Sequence, residues 1–426
     1  MKHPDLKGGQ KLVVIVGGGF AGLNAAKALA GQPQVHVVLF DQRNHHLFQP
    51  LLYQVATAGL NPSDIAVPIR AQFSENENIE VHLGKIESVD LRKQTILADG
   101  HELDYDFLIL ACGAQHSYFN HPEWEPFAPG LKTLEQATEI RRRILLAFEQ
   151  AENELDPEKQ KQLLTFVVVG GGPTGVELAG AIADISRTVL VQDFKRINPE
   201  SARVILVEAG PRVLASFSED LSARALRDLQ QLGVEEMVSA RVNHIDATGA
   251  QIGDKFIQAR SVFWAAGVQA SRVKIDPAPE TDRAGRVVVQ KDFSIPSYPN
   301  AFVIGDMASF TLPDGKTLPG LAPVAIQAGR HSAENILNSL RNSPREDFQY
   351  FDKGQMATIG KNKAVVESGK LKMTGFFAWM AWLFVHIFYL IGFKNRVAVM
   401  AQWAWSYLFS KRGSRLITEK DWKLKV

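Results

Sequence analysis

Two glycine-rich loops constrain this chain more than any other feature: Gly17-Gly18-Gly19-Phe20-Ala21-Gly22 and Gly170-Gly171-Gly172-Pro173-Thr174-Gly175. Each follows an apolar run of strand character, residues 12–16 and 166–169. Each opens a helical stretch of small residues, 23–30 and 176–182. In a G-x-G-x-x-G turn the first glycine permits the tight turn, the second lets the backbone approach a pyrophosphate, and the third lets the helix pack on the strand. The free N–H groups of the helix N-terminus then face the phosphates. One such loop is a weak signal. Two in one chain imply two dinucleotides, and two dinucleotides held by one protein imply electron transfer between them.

The loops anchor a longer repeat. Gly17 leads after 94 residues to Ala111-Cys112-Gly113, and Gly170 after 95 residues to Ala265-Ala266-Gly267. Both copies read as strand, glycine loop, helix, acid-ended strand, further strands, and a strand ending in Ala-x-Gly. Loops change length easily, so matched spacing points to a duplicated α/β unit. The expected fold is therefore α/β, with two Rossmann-like dinucleotide-binding domains and a C-terminal membrane-associated helical segment.

An acid that ends the second strand is the confirming partner of such a loop, because it accepts hydrogen bonds from ribose hydroxyls. Asp41 stands 19 residues after Gly22 and fills that role in the first copy. In the second copy Glu208 follows the strand 204–207, but 33 residues beyond Gly175, against the usual ~20. The excess lies in a polar insertion, 184–201, carrying Asp193, Lys195 and Arg196. A carboxylate there bonds a free 2′-hydroxyl and repels a 2′-phosphate, so NADH is expected, with Arg212 close enough to leave NADPH open. Late in the chain the strand 301–304 ends in Gly305-Asp306. This resembles the second FAD motif of the two-dinucleotide, glutathione-reductase-like flavoproteins, which assigns FAD to the first loop and the ribityl chain to Asp306. Nicotinamide against isoalloxazine gives hydride transfer, with the protein positioning the two.

The rest of the composition narrows the electron acceptor. Net charge is +1, which gives no pull toward nucleic acid. Cys112 is the one cysteine, so disulfide substrates, sulfide oxidation and multi-cysteine metal sites are excluded, and no metal is expected. At 426 residues two or three domains are expected. The first ten residues lack an apolar signal core, so a cytosol-facing protein is expected. Residues 376–393 are almost wholly apolar, broken only by His386, and at 18 residues stand at the lower limit for a membrane span. Trp403, Trp405 and Tyr407 follow, then Lys411, Arg412 and Arg415, a pattern suited to an interface with anionic lipid. The short length favours an interfacial helix over a spanning one, and either points to a lipid-soluble acceptor.

With these loops, the run Asn44-His45-His46-Leu47-Phe48-Gln49-Pro50-Leu51-Leu52-Tyr53, the run Gly175-Val176-Glu177-Leu178-Ala179-Gly180 and the run Pro319-Gly320-Leu321-Ala322-Pro323-Val324-Ala325-Ile326-Gln327 make the chain resemble the type II NADH dehydrogenases over nearly its whole length. The resemblance implies non-covalent FAD, NADH as donor, a membrane quinone as acceptor without proton pumping, a monotopic anchor at the bilayer surface on the cytoplasmic face of the inner membrane, and a homodimer. It assigns FAD to Gly17, Gly19, Phe20, Ala21, Gly22, Asp41, Arg43, Leu52, Ile86, Ala111, Gly113, Gly305, Asp306, Ala322, Pro323 and Ala325. NADH falls to Gly170, Gly172, Pro173, Thr174, Gly175, Glu208 and Gly267. Quinone falls to Ile326, Gln327 and Lys394, with Glu177 and Gln327 catalytic and Glu177 accepting or relaying a proton. The chain carries Pro323-Val324 where many relatives show Ala-Gln.

On this reading residues 1–130 and 291–345 form the FAD domain, 131–164 a connecting helix, 165–290 the NADH domain, and 346–426 strands followed by the anchoring helices. His45 and His46 read as structural or flavin-side, and Cys112 as a small buried residue. Two other functions stay open on the residues alone: a flavin-dependent reductase of a soluble carrier protein, and an NADH-sensing flavoprotein of low turnover.

Overall fold

The computed structural model describes residues 4, 6–409 and 413–418. Lys411 and Arg412 of the expected basic sequel lie outside the described residues. The chain divides into two compact units. The first comprises residues 1–47, 66–115 and 268–352, and the second residues 48–65, 116–267 and 353–426.

The first unit is built on a six-stranded sheet in the order Ser294–Ile295, Tyr298–Val303, Phe107–Leu110, Lys11–Val16, Val35–Asp41, Ile79–Leu83. All its pairings are parallel except the hairpin of the first two strands. A parallel strand is covered on both faces and so reads as an unbroken apolar run. Lys11–Val16 is buried from Leu12 onward, and Val35–Asp41 from Val35 to Phe40. The helices Phe20–Leu29 and Ala322–Leu340 touch backbone to backbone, since a Cβ on Gly329 would overlap the Ala21 carbonyl oxygen. A second sheet pairs Lys274–Asp276, Ile86–Asp90, Thr95–Ala98 and His101–Asp104.

The second unit repeats the plan. Its parallel sheet runs Val234–Met237, Arg203–Val207, Thr165–Val169, Ser261–Trp264. In both units the strand before the glycine loop sits between the acid-ended strand and the strand ending in Ala-x-Gly. The helix Leu134–Asn153 opens on Thr133, whose hydroxyl accepts the Gln136 N–H at 3.2 Å, and it buries residues at helical spacing from Ala137 to Ala151. The expected polar insertion after the second loop prolongs its helix through the turns Ile185–Val189 and Leu190–Gln192.

The C-terminal part of this unit is a three-stranded antiparallel sheet, Gln355–Gly360, Lys363–Ser368 and Leu371–Thr374, followed by the helices Gly375–Tyr389 and Phe393–Phe409. The apolar tail is thus two helices, broken at Leu390 to Gly392. Among the described residues no helix is long and apolar enough to cross a membrane. Ala378, Trp382 and His386, four residues apart, form the buried stripe of Gly375–Tyr389. Phe377, Phe384 and Phe388 on the same helix are 74%, 72% and 60% exposed.

Candidate functional site

The first glycine loop has the steric demands its sequence implies. Gly17 has φ +105°, and a Cβ there would run into the Ala111 carbonyl oxygen; a Cβ on Gly22 would overlap the carbonyl oxygen of Gly17. Gly19 caps the helix Phe20–Leu29 with no side-chain hydrogen bond, and nothing lies within 4 Å of where its Cβ would be. Its first-turn donors therefore lie beside open space, as a phosphate requires. Asp41 closes the loop from the side: its Oδ2 accepts the Gly18 N–H at 2.6 Å and its Oδ1 the Arg43 N–H at 2.7 Å. Gly305, at φ +70°, brings the late strand end onto this loop, since its Cβ would meet Ala21 Cβ at 3.2 Å and Ala325 Cβ at 3.8 Å. Ala21, Gly305, Asp306 and the start of Ala322–Leu340 therefore converge in one place. That helix also opens without a side-chain cap, at Leu321. Ile86 is buried at the start of its own strand.

His46 holds the same loop. Its Nδ1 donates to the Gly18 carbonyl oxygen at 2.9 Å, its ring meets Phe20 edge-on at 5.1 Å, and burial pushes its pKa down to about 4, so the ring is neutral. The bare, buried Nε2 is then an acceptor with no protein partner. A cradle of open amides, a carboxylate and one unmet acceptor fits FAD.

The second loop repeats this arrangement atom by atom. Gly170 has φ +111° against Ala265, and a Cβ on Gly175 would overlap the Gly170 carbonyl oxygen. Glu208 Oε2 accepts the Gly171 N–H at 2.6 Å and Oε1 the Gly210 N–H at 2.6 Å. The long spacing before Glu208 therefore leaves the clamp intact. Gly172 is an uncapped helix start with open space above it, and Pro173 and Thr174 are exposed. Gly267, at φ +69°, has no room for a Cβ beside Phe119 and Ser117. The Arg212 guanidinium donates to the backbone carbonyls of Phe217 at 2.7 Å and Ala215 at 3.0 Å.

Glu177 stands one turn into the helix Pro173–Asp184. It lines a cavity of about 160 Å³ in the second unit, with Tyr53, Gln54 and Thr57, with Asp184 and Thr188 further along its own helix, and with Trp379, Trp382 and Trp403 from the tail. The surrounding protein strips its carboxyl of water. Burial pushes its pKa up to about 8, offset only by a long contact from the Thr358 N–H at 3.5 Å. At neutral pH Glu177 is a protonated acid.

The other expected residues fall as follows. Ile326 and Gln327 belong to the first unit, in Ala322–Leu340. The Gln327 amide is engaged with the chain itself: Nε2 donates to the Phe351 and Pro323 carbonyls at 3.0 and 3.2 Å, and Oε1 accepts the Phe351 N–H at 3.0 Å. Leu52 is buried in the second unit. Lys394 is exposed and does not line the cavity. Arg396 caps the first tail helix through the Leu390 and Phe388 carbonyls at 2.7 and 2.9 Å, and Arg415 pairs with Asp193. These two arginines are thus occupied within the chain, not held ready for lipid headgroups. Cys112 is shielded, with its pKa pushed up to about 12 by burial, so it stays a thiol. Thr358 and Trp382 carry no sequence signal of their own, while Tyr53 and Trp403 stand in the run 44–53 and in the aromatic sequel to the apolar segment with nothing there to say that they line this cavity.

Comparison with known proteins gives concordant findings. The family described as pyridine nucleotide-disulphide oxidoreductase matches residues 11–329, and the NDH2 C-terminal domain matches residues 353–412. The chain is 44% identical to the type II NADH:quinone oxidoreductase Ndh of Mycobacterium tuberculosis, over 96% of this chain and 90% of the relative. It is 42% identical to NdhA of the same organism, over 98% and 92%. NDH2 from Plasmodium falciparum in complex with NADH has the same fold, with a TM-score of 0.88 at 18% identity, over 96% of this chain and all of that one.

Proposed function

The chain belongs to the type II NADH:quinone oxidoreductases, and we propose that its two glycine loops and Glu177 divide that family's reaction among them. The protein is an NADH:quinone oxidoreductase that uses FAD. The chemistry FAD supplies when bound is acceptance of a hydride from NADH and return of two electrons to the quinone. The balance is NADH + H⁺ + quinone → NAD⁺ + quinol, so one proton per turnover must come from water.

The first loop holds the FAD pyrophosphate on the open amides above Gly19, while Asp41 orients the ribose and Asp306 the ribityl chain. The second loop holds NADH in the same manner, with Glu208 on the adenosine ribose and Arg212 withdrawn into backbone contacts. Glu177, kept protonated by burial, delivers the proton to a quinone oxygen. Ile326 and Gln327 stay the quinone-side residues of the first unit that the family resemblance assigns, and Gln327 fixes the backbone at Phe351 within that unit. The outward Phe377, Phe384 and Phe388 lie in the surface of the bilayer, where a membrane quinone resides, on the cytoplasmic side that NADH reaches.

The observation that carries this reading is the repeated carboxylate clamp, Asp41 on Gly18 and Arg43, Glu208 on Gly171 and Gly210. Two carboxylates set alike on two glycine loops are what the riboses of two dinucleotides would need. The test is an absorbance spectrum of the purified protein. Flavin bands bleached by NADH and restored by a short-chain quinone are expected; a protein that purifies without flavin, or whose flavin NADH leaves oxidised, overturns the proposal.

A further inference from the structure

A buried acid that gives up a proton at every turnover must be refilled. Seven residues past Glu177 on the same helix stands Asp184, nearly two full turns on and about 10 Å along the axis. The residue between them on that face is Ala181, which adds little bulk. Glu177, Ala181, Asp184 and Thr188 all line the 160 Å³ cavity. Glu177 and Asp184 are both half-buried, Ala181 between them is buried, and Thr188 at the far end of the row is exposed.

The cavity is wide enough for several waters at ~30 Å³ each, and its helix side offers the polar partners that retain them. Gln54 and Thr57 face it from Leu52–Ala56 and its cap, and Thr358 from the sheet. The other titratable groups on the cavity are Tyr53, Tyr407 and Lys361. Lys361 is engaged at the cavity's edge: its Nζ donates to the Tyr407 carbonyl at 2.9 Å and lies 4.3 Å from that ring's centre.

We infer that Asp184 is the proton inlet of the enzyme, taking protons from bulk water at the Thr188 edge and passing them through cavity water to Glu177. The step balances without a further reactant. One proton enters at Asp184 Oδ, one leaves Glu177 Oε for the quinone oxygen, and no electrons move along the path. Asp184 touches neither substrate nor cofactor, so it is a positioning residue that acts through Glu177. The inference rests on the reading of Glu177 as proton donor.

The test uses the FAD-loaded enzyme. In Asp184→Asn, reduction of flavin by NADH is expected at the normal rate, while reoxidation by quinone slows about tenfold, part of the range a positioned acid contributes. Asp184→Glu restores the rate, and so does a small weak acid such as formate or azide added to Asp184→Asn, because it carries protons in by another route. A second readout does not depend on turnover: the infrared carbonyl band of protonated Glu177, absent in Glu177→Gln, should exchange with D₂O more slowly in Asp184→Asn. Slowed reoxidation rescued neither by Asp184→Glu nor by weak acid means a structural defect and overturns the inlet. Normal reoxidation and normal exchange in Asp184→Asn, with Glu177→Gln still slow, overturns the inlet alone. Normal reoxidation in both variants overturns the proton role of Glu177 as well.

Discussion

Gly180 and Ile359 meet backbone to backbone: a Cβ on the glycine would overlap the Ile359 carbonyl oxygen. That approach lays the strand Gln355–Gly360 on the helix Pro173–Asp184 and brings the Thr358 N–H over Glu177, three residues before the glycine. The glycine ending the Gly175–Gly180 motif therefore serves the neighbourhood of the acid rather than the phosphate loop. Gly180→Ala should force the strand off the helix, at the ~1–3 kcal/mol typical of overpacking. The expected result is a lower Tm and slowed reoxidation by quinone, with flavin reduction by NADH spared. Equal loss in both half-reactions would place the defect at the NADH loop instead.

The buried acid makes a pH prediction of definite sign. Glu177 binds its proton more tightly in the folded chain, where its pKa is about 8, than in the unfolded one at about 4.3. Its contribution to stability is therefore fully present below about pH 4.3 and is lost as pH rises through about 8. Reoxidation by quinone should fall over the same upper limb, since the donor is then ionised. Glu177→Gln should be slow at every pH, without that limb, and its Tm should drop less than that of the parent between neutral and alkaline pH. Stopped-flow traces and unfolding curves across that range check both.

What was legible in the sequence was what sterics dictate locally. Gly17, Gly22, Gly170 and Gly175 sit where no side chain fits, so their pattern betrays the loops wherever it occurs. Glu208 was harder, because helical turns after Asp184 stretch the spacing while leaving the clamp unchanged. The return of Gly305 onto Ala21 was legible from the Gly-Asp strand end. The crossing of residues 48–65 into the second unit was not, since nothing in a run such as Pro50-Leu51-Leu52-Tyr53 says which core it enters. The tail hid the most. Where both faces of a helix are apolar, hydropathy cannot separate the buried Trp382 from the exposed Phe384.

Cofactor preference should follow the second clamp. Glu208→Ala removes both the proposed ribose acceptor and the partner of the Gly171 and Gly210 amides. KM for NADH should rise by at least tenfold, the ~1.5–3 kcal/mol of a charged hydrogen bond, and discrimination against NADPH should relax. Because Arg212 is bound to the Phe217 and Ala215 carbonyls, it should not turn the variant into an NADPH enzyme. An unchanged NADH to NADPH ratio of kcat/KM would show that another residue reads the ribose.

Membrane attachment should depend on the outward ring face and not on the whole tail. Removing the chain after Ser368 would also remove Ala378, Trp382 and His386, which are buried in the second unit, so loss of binding there would not separate anchoring from unfolding. Phe377, Phe384 and Phe388 can instead be changed together to Ser, because all three side chains are mostly exposed. Each ring that enters the interface contributes about 1–2 kcal/mol by area, so their joint loss should weaken binding by about two to four orders of magnitude. The check is co-sedimentation with vesicles of anionic and zwitterionic phospholipid at physiological salt. Flavin content and NADH turnover with a water-soluble quinone should stay at the parental level. If the triple variant sediments with the vesicles as the parent does, the bilayer contact lies elsewhere on the chain.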